Sequence, residues 1–390
     1  MIGTEARSYP TTISTAFGRV FYGAQGRLYF SQVLIDDFSH IGRCYQRNDP
    51  VAEDLSDVLD TDGGEILIQD AGDILHIEPY RTGVLVFCDN GIWYVTGSTD
   101  TGFTATSYTA NKISPVVLYA KRSVIVGKNI VMFGTKDGCY VVSEEVAGSP
   151  TVASITENRI SSYWEEFISP NVFGTFDEIR SLFQFINPDQ PGRLLVFNAK
   201  LNAWYPWKIS TGTGSSEHKL VGAVYNDELG TALYCTDTAS VLQLSKQVPD
   251  TLNDYGNEYE SYLTTQPETL KNYTRKKGVP IVSVFMQRTE TQIIGYSDPV
   301  YLFENPSSCM MSVRFDWDPA LESTPRNVYK ALPRGFIATN IPQDISSMRE
   351  VVMFEDKVRG TGKALQVTFR STGENKMGLL GYSVKYSVGR

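Results

Sequence analysis

Histidine and cysteine are both scarce in this sequence. The 390 residues contain three histidines (His40, His76 and His218) and five widely separated cysteines, none in a CxxC pair. A multi-histidine metal centre needs several imidazoles, and zinc ribbons and disulfide frameworks need closely spaced thiols. The sequence therefore predicts no cofactor and no metal site. Cys88 and Cys139 lie in apolar strand patterns, where we expect buried, reduced thiols.

Long apolar runs and catalytic motifs are lacking too. No unbroken apolar run approaches the ~20 residues of a membrane-spanning helix, so none is expected. The sequence contains no GxSxG, HExxH or complete GxGxxG motif. The letters GTGK at 360–363 precede a predicted strand at 364–369, whereas a phosphate-binding loop is followed by a helix. Helical periodicity is weak, and one short helix is predicted at 160–167.

The chain is rich in glycine and aromatic residues, with 32 Gly, 22 Tyr and 19 Phe. Short apolar runs are paired around turns that contain Gly, Asn or Asp, which indicates β-hairpins. The predicted hairpin arms are 19–22 with 27–32, 84–87 with 92–95, 130–133 with 140–142, 194–197 with 203–207, and 231–235 with 241–244. Both arms are apolar, as in strands covered on both faces. This repetition favours a β-propeller with five or six blades over a β-sandwich for residues 1–250.

The pattern changes after residue 250. A polar stretch at 248–266 precedes the basic cluster Arg275, Lys276 and Lys277. Beyond the cluster, strands at 281–288, 309–317, 351–354, 364–369 and 379–386 alternate between apolar and polar residues. Alternation is typical of antiparallel sheets with one buried face. We therefore predict an all-β protein in which a propeller-like domain (1–250) is followed by an antiparallel β-sandwich (251–390).

Charge is divided unevenly between these halves. The formal net charge is −9. Residues 1–250 contain 18 Lys and Arg against 29 Asp and Glu, whereas residues 251–390 contain 17 against 15. Such an acidic chain is not expected to grip nucleic acid through its surface as a whole. The acidity of the first half has two interpretations, which are solubility and a surface that a polyanion passes without sticking.

Three groups of residues have the composition of sites, and a structural interpretation is favoured for each. An acidic turn has the oxygen ligands of a calcium site without regular spacing, and a solvated turn is favoured. The SxDxGxT segment resembles a fold-stabilising Asp-box turn. Four tryptophans could stack on sugars in an open cleft, and two of them, Trp93 and Trp204, are expected in blade cores instead. These groups are, in order, Asp57, Asp60, Asp62 and Glu65; Ser98, Asp100, Gly102 and Thr104; and Trp93, Trp164, Trp204 and Trp207.

Segments in both halves together resemble the tail nozzle proteins of short-tailed bacteriophages, also called tail tubular protein B or tail hub proteins. In chain order they are GRVFYGAQGRLYFSQV (18–33), CYQRNDPVAEDLSDVLDTDGGEI (44–66), GVLVFCDNGIWYVTG (83–97), GFTATSYTANKIS (102–114), TRKKGVPIVSVFMQRTE (274–290), SCMMSVRFDW (308–317) and GTGKALQVTFRSTGENKMGLLGYSVKYS (360–387).

The resemblance implies a structural protein of the virion tail, made in the host cytoplasm, and not an enzyme. It implies a ring, commonly a hexamer, below the tail adaptor, with fibre or spike proteins at the rim. Double-stranded DNA would leave through the ring without specific binding. Arg275, Lys276 and Lys277 are then a possible subunit interface with the acidic propeller surface of a neighbouring copy.

Two other functions remain open from the sequence. One is a propeller glycosidase or lectin that acts on surface polysaccharide, which would need two facing carboxylates or exposed aromatic rings. The other is a tail fibre or baseplate adaptor without a channel.

Overall fold

The structure is a computed structural model in which the chain divides into two compact units, Met1–Lys246 (unit 1) and Gln247–Arg390 (unit 2). The residues that it describes are 9–35, 41–44, 58–98, 102–144, 149–157, 159–210, 218–243, 253–254, 257–258, 260–271, 274–289, 293–297, 300–303, 307–318, 320, 322–328, 350–358, 360–371 and 376–388.

In the described part of unit 1, antiparallel sheets follow one another along the chain. Sheet 1 comprises β1 (Thr12–Ala16), β2 (Arg19–Ala24), β3 (Arg27–Phe30) and β4 (Gly64–Leu67). Sheet 2 comprises β5 (Ile74–Tyr80), β6 (Gly83–Cys88), β7 (Gly91–Thr96) and β8 (Thr109–Ser114). Sheet 3 comprises β9 (Ile125–Val126), β10 (Val131–Gly134), β11 (Cys139–Glu144) and β12 (Pro150–Ser154). Sheet 4 comprises β13 (Phe173–Asp177), β14 (Leu182–Ile186), β15 (Arg193–Asn198) and β16 (Ala203–Lys208). Sheet 5 comprises β17 (Leu220–Asn226), β18 (Thr231–Thr236) and β19 (Val241–Gln243).

The order of strands in these sheets is that of propeller blades. Each sheet is an up-and-down meander in which neighbours in sequence pair in space. The first strands of successive sheets contact each other, as β1 with β5, β9 with β13 and β13 with β17. Stacked meanders of this kind are the β-propeller architecture. The predicted propeller-like fold and its hairpins are confirmed.

Strand β6 shows why the sequence of unit 1 does not alternate. All six of its residues are buried. Val84 and Val86 pack with the core between sheets 1 and 2. Leu85 and Phe87 pack with the core between sheets 2 and 3, where the rings of Phe87 and Phe133 lie 5.1 Å apart. A strand with an apolar neighbour on each face needs apolar residues at every position.

The turn between β2 and β3 illustrates the hairpin chemistry. Gln25 has φ 44° and Gly26 has φ 71°. Two successive positive φ values match the twist of the flanking strands, and glycine adopts them without a steric penalty. The letters AQGR between two apolar runs therefore specify a tight turn at this position.

Helix α1 (Ser161–Phe167) lies in the connection between sheets 3 and 4 and confirms the prediction at 160–167. Its buried residues are Trp164 and Phe167. The indole Nε1 of Trp164 donates a hydrogen bond to the carbonyl oxygen of Thr135 at 2.9 Å. The helix therefore anchors its connection to the second turn of sheet 3. A single-turn 3-10 helix at Lys121–Ser123 lies in the preceding connection.

In the described part of unit 2, two larger sheets are accompanied by two short ribbons. One ribbon pairs β20 (Asn253–Asp254) with β21 (Asn257–Glu258), and the other pairs β24 (Ile293–Ser297) with β25 (Val300–Phe303). The first large sheet has the order β22 (Tyr262–Thr264), β30 (Leu365–Arg370), β26 (Cys309–Phe315) and β27 (Arg326–Val328). The second has β23 (Lys277–Gln287) at its centre, with β28 (Val351–Lys357) and β29 (Thr361–Gly362) on one side and β31 (Leu379–Val388) paired with β23.

The two large sheets of unit 2 pack as a sandwich. Val282 and Val284 of β23 share one hydrophobic core with Val313 of β26 and Phe369 of β30. Along β30, buried Leu365, Val367 and Phe369 alternate with more exposed residues. The predicted sandwich and its alternating strands are confirmed.

Candidate functional site

The basic cluster predicted as a subunit contact lies at the start of β23. Arg275 and Lys276 are exposed immediately before the strand. The third residue of the cluster, Lys277, is only 1% exposed, so the predicted contact surface is corrected at this position. The candidate contact surface therefore consists of Arg275 and Lys276.

The burial of Lys277 has a local cause. Within β23, Lys277 pairs with Gly362 of β29 on one side and Val388 of β31 on the other. Its Nζ atom donates a hydrogen bond to the carbonyl oxygen of Lys363 at 3.0 Å. A buried ammonium group is tolerated where it is hydrogen-bonded. The bond is part of the unit 2 fold and takes Lys277 out of reach of a partner.

The acidic turn before β4 places one of its carboxylates, that of Asp62, in the interior of unit 1. Asp62 is 2% exposed, and its Oδ2 atom accepts a hydrogen bond from the backbone N–H of Leu59 at 3.0 Å. Asp60 accepts a hydrogen bond from the hydroxyl of Thr106. Asp57 lies outside the described residues. The interpretation as a solvated turn is therefore wrong for Asp62, because its carboxylate closes a turn below the surface.

The remaining member of the acidic group forms an ion pair. Glu65 lies 2.5 Å from the guanidinium of Arg27 on the neighbouring strand. Among the described residues, no group of three or more His, Cys, Asp or Glu side chains could hold a metal ion. In the same part of the chain, no helix is long and apolar enough to cross a membrane.

The side chain of Arg19 binds the backbone of this turn, although nothing in the sequence around Arg19 indicates that role. It is 2% exposed, and its guanidinium donates to the backbone carbonyls of Ser31 at 2.7 Å, Asp62 at 2.5 Å and Asp60. Burial lowers the pKa of Arg19 to about 10, against the opposing effect of the Asp62 and Asp60 carboxylates. Arg19 therefore ties the long connection of sheet 1 to the start of β2.

The turns of unit 1 fall at two ends of the sheets. In a four-stranded meander, the second turn lies at the end where the first strand begins and the fourth strand stops. The connections between sheets therefore lie beside the second turns, and we call this the connection end. The first and third turns form the opposite end, which we call the hairpin end.

Hydrogen bonds join the components of the connection end. The backbone N–H of Asp89, in the second turn of sheet 2, donates to the carbonyl of Asp73 in the preceding connection at 3.0 Å. Asn187 donates from Nδ2 to the carbonyl of Phe167 at 2.5 Å, which joins sheet 4 to the end of α1. The backbone N–H of Asp237 donates to the carbonyl of Lys219 at 2.9 Å. The connections that enter sheets 2, 4 and 5 are thus each fixed to the sheet that follows them.

Acidic residues outnumber basic residues at the connection end, whereas the hairpin end is balanced, within the described ranges. The acidic residues of the connection end are Asp70, Asp73, Asp89, Asp137, Glu157, Glu165, Glu166, Asp189 and Asp237, and the basic ones are Lys121, Arg122, Lys136, Arg159 and Lys219. At the hairpin end, the acidic residues are Asp60, Asp62, Glu178, Asp227 and Glu228, and the basic ones are Arg43, Arg81, Lys128, Arg180 and Lys200. Within the described ranges of unit 1, the excess of acidic residues therefore lies at the connection end.

The four tryptophans weighed as sugar-binding residues belong to blade cores. Trp93 and Trp164 are buried, with exposed fractions of 6% and 0%. Trp204 packs against the same core as Trp164, at 6.0 Å between ring centroids, and Trp207 packs against the core between sheets 4 and 5. Trp317, in unit 2, is 60% exposed in the turn after β26.

The two glycine-containing motifs noted in the sequence, SxDxGxT and GTGK, belong to a turn and to a strand. The backbone N–H of Gly102 donates to the carbonyl of Ser98 at 3.0 Å, and Asp100 of the same SxDxGxT segment lies outside the described residues. The segment GTGK at 360–363 contains β29, and β30 follows it as predicted. A Cβ atom at Gly360 would clash with the ring of Phe315, which explains glycine at that position.

Comparison with known proteins gives weak structural likenesses. No family model matches the sequence, and no curated protein matches it. Dihydro-heme d1 dehydrogenase NirN matches with 14% identity and a TM-score of 0.34 over 66% of this chain and 49% of that one, so the chain spans about half of NirN's length. Hsv2 of Kluyvelomyces marxianus matches with 7% identity and a TM-score of 0.35 over 80% of this chain and 82% of that one. The WD40 domain of Toxoplasma gondii coronin matches with 9% identity and a TM-score of 0.26 over 93% and 82%. The assignment of the fold therefore rests on the strand order described above.

Proposed function

We propose that this chain is a structural subunit of a phage tail nozzle. In this role, copies of the chain form a ring, expected to be a hexamer, that surrounds the exit channel for double-stranded DNA and docks to the tail adaptor and fibres. We infer this role from the resemblance of segments in both halves of the chain to tail nozzle proteins. The structural observation that supports it is the excess of acidic residues at the connection end among the described residues of unit 1.

An acidic surface suits a channel through which DNA must slide. Basic side chains bind the DNA backbone by releasing its condensed counterions, and carboxylates do not. Exposed Asp70, Asp137 and Glu165 present negative charge in front of backbone that is held by hydrogen bonds. The proposal assigns the connection end to the surface that faces DNA. Arg275 and Lys276 stay candidates for a contact with acidic residues of a neighbouring copy.

The buried tryptophans favour this role over sugar binding. Rings that stack on sugars must be open to solvent, whereas Trp93 and Trp164 are enclosed by blade cores. The indole nitrogen of Trp164 is also occupied by a backbone carbonyl. These rings contribute stability to the blades.

The direct test is the position and copy number of this chain in an electron-microscopy map of the particles that contain it. We expect a closed ring around a central opening at the distal end of a short tail. A map without a central opening, or a map that places the chain outside the tail, would overturn the proposal.

The orientation of unit 1 has a separate test with a matched control. Asp137→Lys with Glu165→Lys reverses charge at the connection end, and Asp227→Lys with Glu228→Lys makes the same change at the hairpin end. All four residues are exposed. We expect particles with the first pair to release DNA several-fold more slowly at low salt, because lysines attract phosphate. Equal rates for the two pairs would contradict the assignment of the connection end.

A further inference from the structure

Unit 2 presents two edge strands in its β23 sheet. Strand β31 has ten residues and β28 has seven, and each is paired with β23. On their other sides, neither strand is paired with any strand of the described residues. Half of the main-chain groups of an edge strand point away from its sheet, which makes the strand a template for a further strand.

Both edges carry exposed apolar side chains. On β31, Leu380, Tyr386 and Val388 are 58%, 40% and 45% exposed. On β28, Val351 and Met353 are 48% and 53% exposed. Edge strands are usually short or guarded by charge or proline, and long apolar edges are sites of association. The two edges therefore combine backbone pairing capacity with apolar area.

The charges on the two edges have opposite signs. Strand β28 carries Glu355 and Asp356 beside Lys357, and Glu350 immediately precedes it. Strand β31 carries Lys385 and no carboxylate, and Lys376 precedes it in the described segment 376–388. The Nζ atom of Lys385 lies 3.3 Å from Glu355 of the same chain, so these two residues already form one ion pair across β23, and the opposite net charges of the edges depend on Glu350, Asp356 and Lys376 as well. Two β28 edges would bring carboxylates together, and two β31 edges would bring ammonium groups together. Only the unlike edges place opposite charges side by side, which favours cross-strand pairing.

The directions of the strands fix the type of contact. Because β28 and β31 are both antiparallel to β23, they run in the same direction. Two copies in the same orientation would thus pair β31 with β28 in parallel. The pair would keep one edge of each kind, β28 on one copy and β31 on the other, and a head-to-tail contact of this type forms a ring if the rotation closes.

We propose that strand β31 of one copy pairs with strand β28 of a second copy, so that the sheet continues from subunit to subunit. The partner is a second copy of this chain, recognised by opposite charge, exposed apolar residues and main-chain hydrogen bonds. Closure into a ring rests on the proposed function, whereas the pairing of the two edges needs only head-to-tail association.

The test uses two variants of the full chain that each block one edge. Val351→Lys with Met353→Lys adds two positive charges to the β28 edge, which cancels the excess of carboxylates there. Leu380→Glu with Tyr386→Glu adds two negative charges to the β31 edge, which offsets Lys376 and Lys385. Each variant alone should self-associate about tenfold or more weakly than the wild type in sedimentation experiments over a range of concentrations. A mixture of the two should recover part of the association, because the unaltered β31 edge of the first variant can pair with the unaltered β28 edge of the second.

A matched control shows whether association depends on these two edges. Leu201→Lys with Leu229→Lys changes two exposed residues of unit 1 and should leave association unchanged. Circular dichroism and thermal melting establish that each variant folds. Self-association of the β28 variant at wild-type strength would overturn the proposal, because association would then not depend on the β28 edge. A wild type that stays monomeric at all concentrations would also overturn it. Neither result decides the nozzle role, which depends on the particle map.

Discussion

In unit 1 the central strands are covered on both faces, whereas the strands of unit 2 are covered on one. Every residue of β6 is buried between two neighbouring sheets. Strand β23 instead turns Val282, Val284 and Met286 to the sandwich core, while Phe285 is only partly buried. A strand between two sheets has little side-chain surface left for a partner. A sandwich strand retains one face and, at the edge of its sheet, one row of main-chain groups.

The units also bury positive charge differently. Arg19 in unit 1 is held by carbonyls of three residues, and Lys277 in unit 2 donates to the carbonyl of Lys363 at 3.0 Å. A guanidinium has five donors in a fixed plane, whereas an ammonium has three that rotate. Arg19 can therefore organise a whole connection, while Lys277 fixes one position in a sheet.

The largest expected loss of stability follows from removing the guanidinium of Arg19. Arg19→Met keeps an apolar stem and leaves the carbonyls of Ser31, Asp60 and Asp62 without this donor. A buried carbonyl left without its donor costs about 1–3 kcal/mol, so the loss of a donor to three carbonyls should cost about 3–5 kcal/mol in the free energy of unfolding. Denaturation followed by tryptophan fluorescence reports mainly unit 1, which contains four of the five tryptophans.

An exposed arginine of the same sheet is the matched control. Arg27 pairs with Glu65, and both side chains are about half exposed, at 43% and 48%. Arg27→Met should therefore cost no more than about 1 kcal/mol, since solvent screens such a pair. Equal losses for the two variants would mean that the carbonyls around Arg19 do not depend on it.

A smaller loss of stability is expected when residues on the two faces of the β23 sheet in unit 2 are substituted. Val284 is fully buried, and Met353 on the neighbouring strand is 53% exposed. Val284→Ser should lower the stability of unit 2 by about 2–4 kcal/mol through a cavity and a buried hydroxyl. Met353→Ser should stay within about 0.5 kcal/mol.

Buried cysteines allow each unit to be followed separately in this experiment. Cys309 lies in the core of unit 2 and Cys139 in that of unit 1. Their alkylation in the native protein, measured by peptide mass spectrometry, reports opening of each unit. Val284→Ser should speed the modification of Cys309 and leave that of Cys139 unchanged. A rise at both thiols would show that the units open together.

The strands of both units were predictable because their signals are local. The arms of the β6–β7 hairpin, its Asp–Asn–Gly turn and the alternation along β30 are each contained in a short window of sequence. The helix at Ser161–Phe167 could be located in the same way. Propensity, turn chemistry and burial agree at these positions, which is when sequence reasoning succeeds.

The burial of charged residues was not predictable, because their partners are distant in sequence. Lys277 finds its acceptor 86 residues later, and Arg19 binds a carbonyl 43 residues away. Three consecutive basic letters suggest a solvated patch until the sheet places one of them between strands β29 and β31.

The smallest expected effect is a dependence of unit 2 stability on pH. The carboxylate of Glu322 accepts hydrogen bonds from Arg314 Nη2 and the Ser312 hydroxyl, both at 2.8 Å. These bonds, led by that of Arg314, lower the pKa of Glu322 below its ordinary value of 4.5. A folded-state pKa below the unfolded value gives a stabilisation that is complete above pH 4.5 and is lost as the pH falls through the lowered pKa.

Glu322→Gln should therefore reduce the loss of unit 2 stability between pH 6 and pH 3, because a neutral amide does not titrate. Ser312→Ala, which removes one of the two hydrogen bonds, should reduce that loss by a smaller amount. Thermal midpoints of the wild type and the two variants, measured across this pH range by circular dichroism, provide the comparison. An unchanged dependence on pH in Glu322→Gln would show that other carboxylates dominate the acid response, and that the bond between strand β26 and Glu322 adds little to the sandwich.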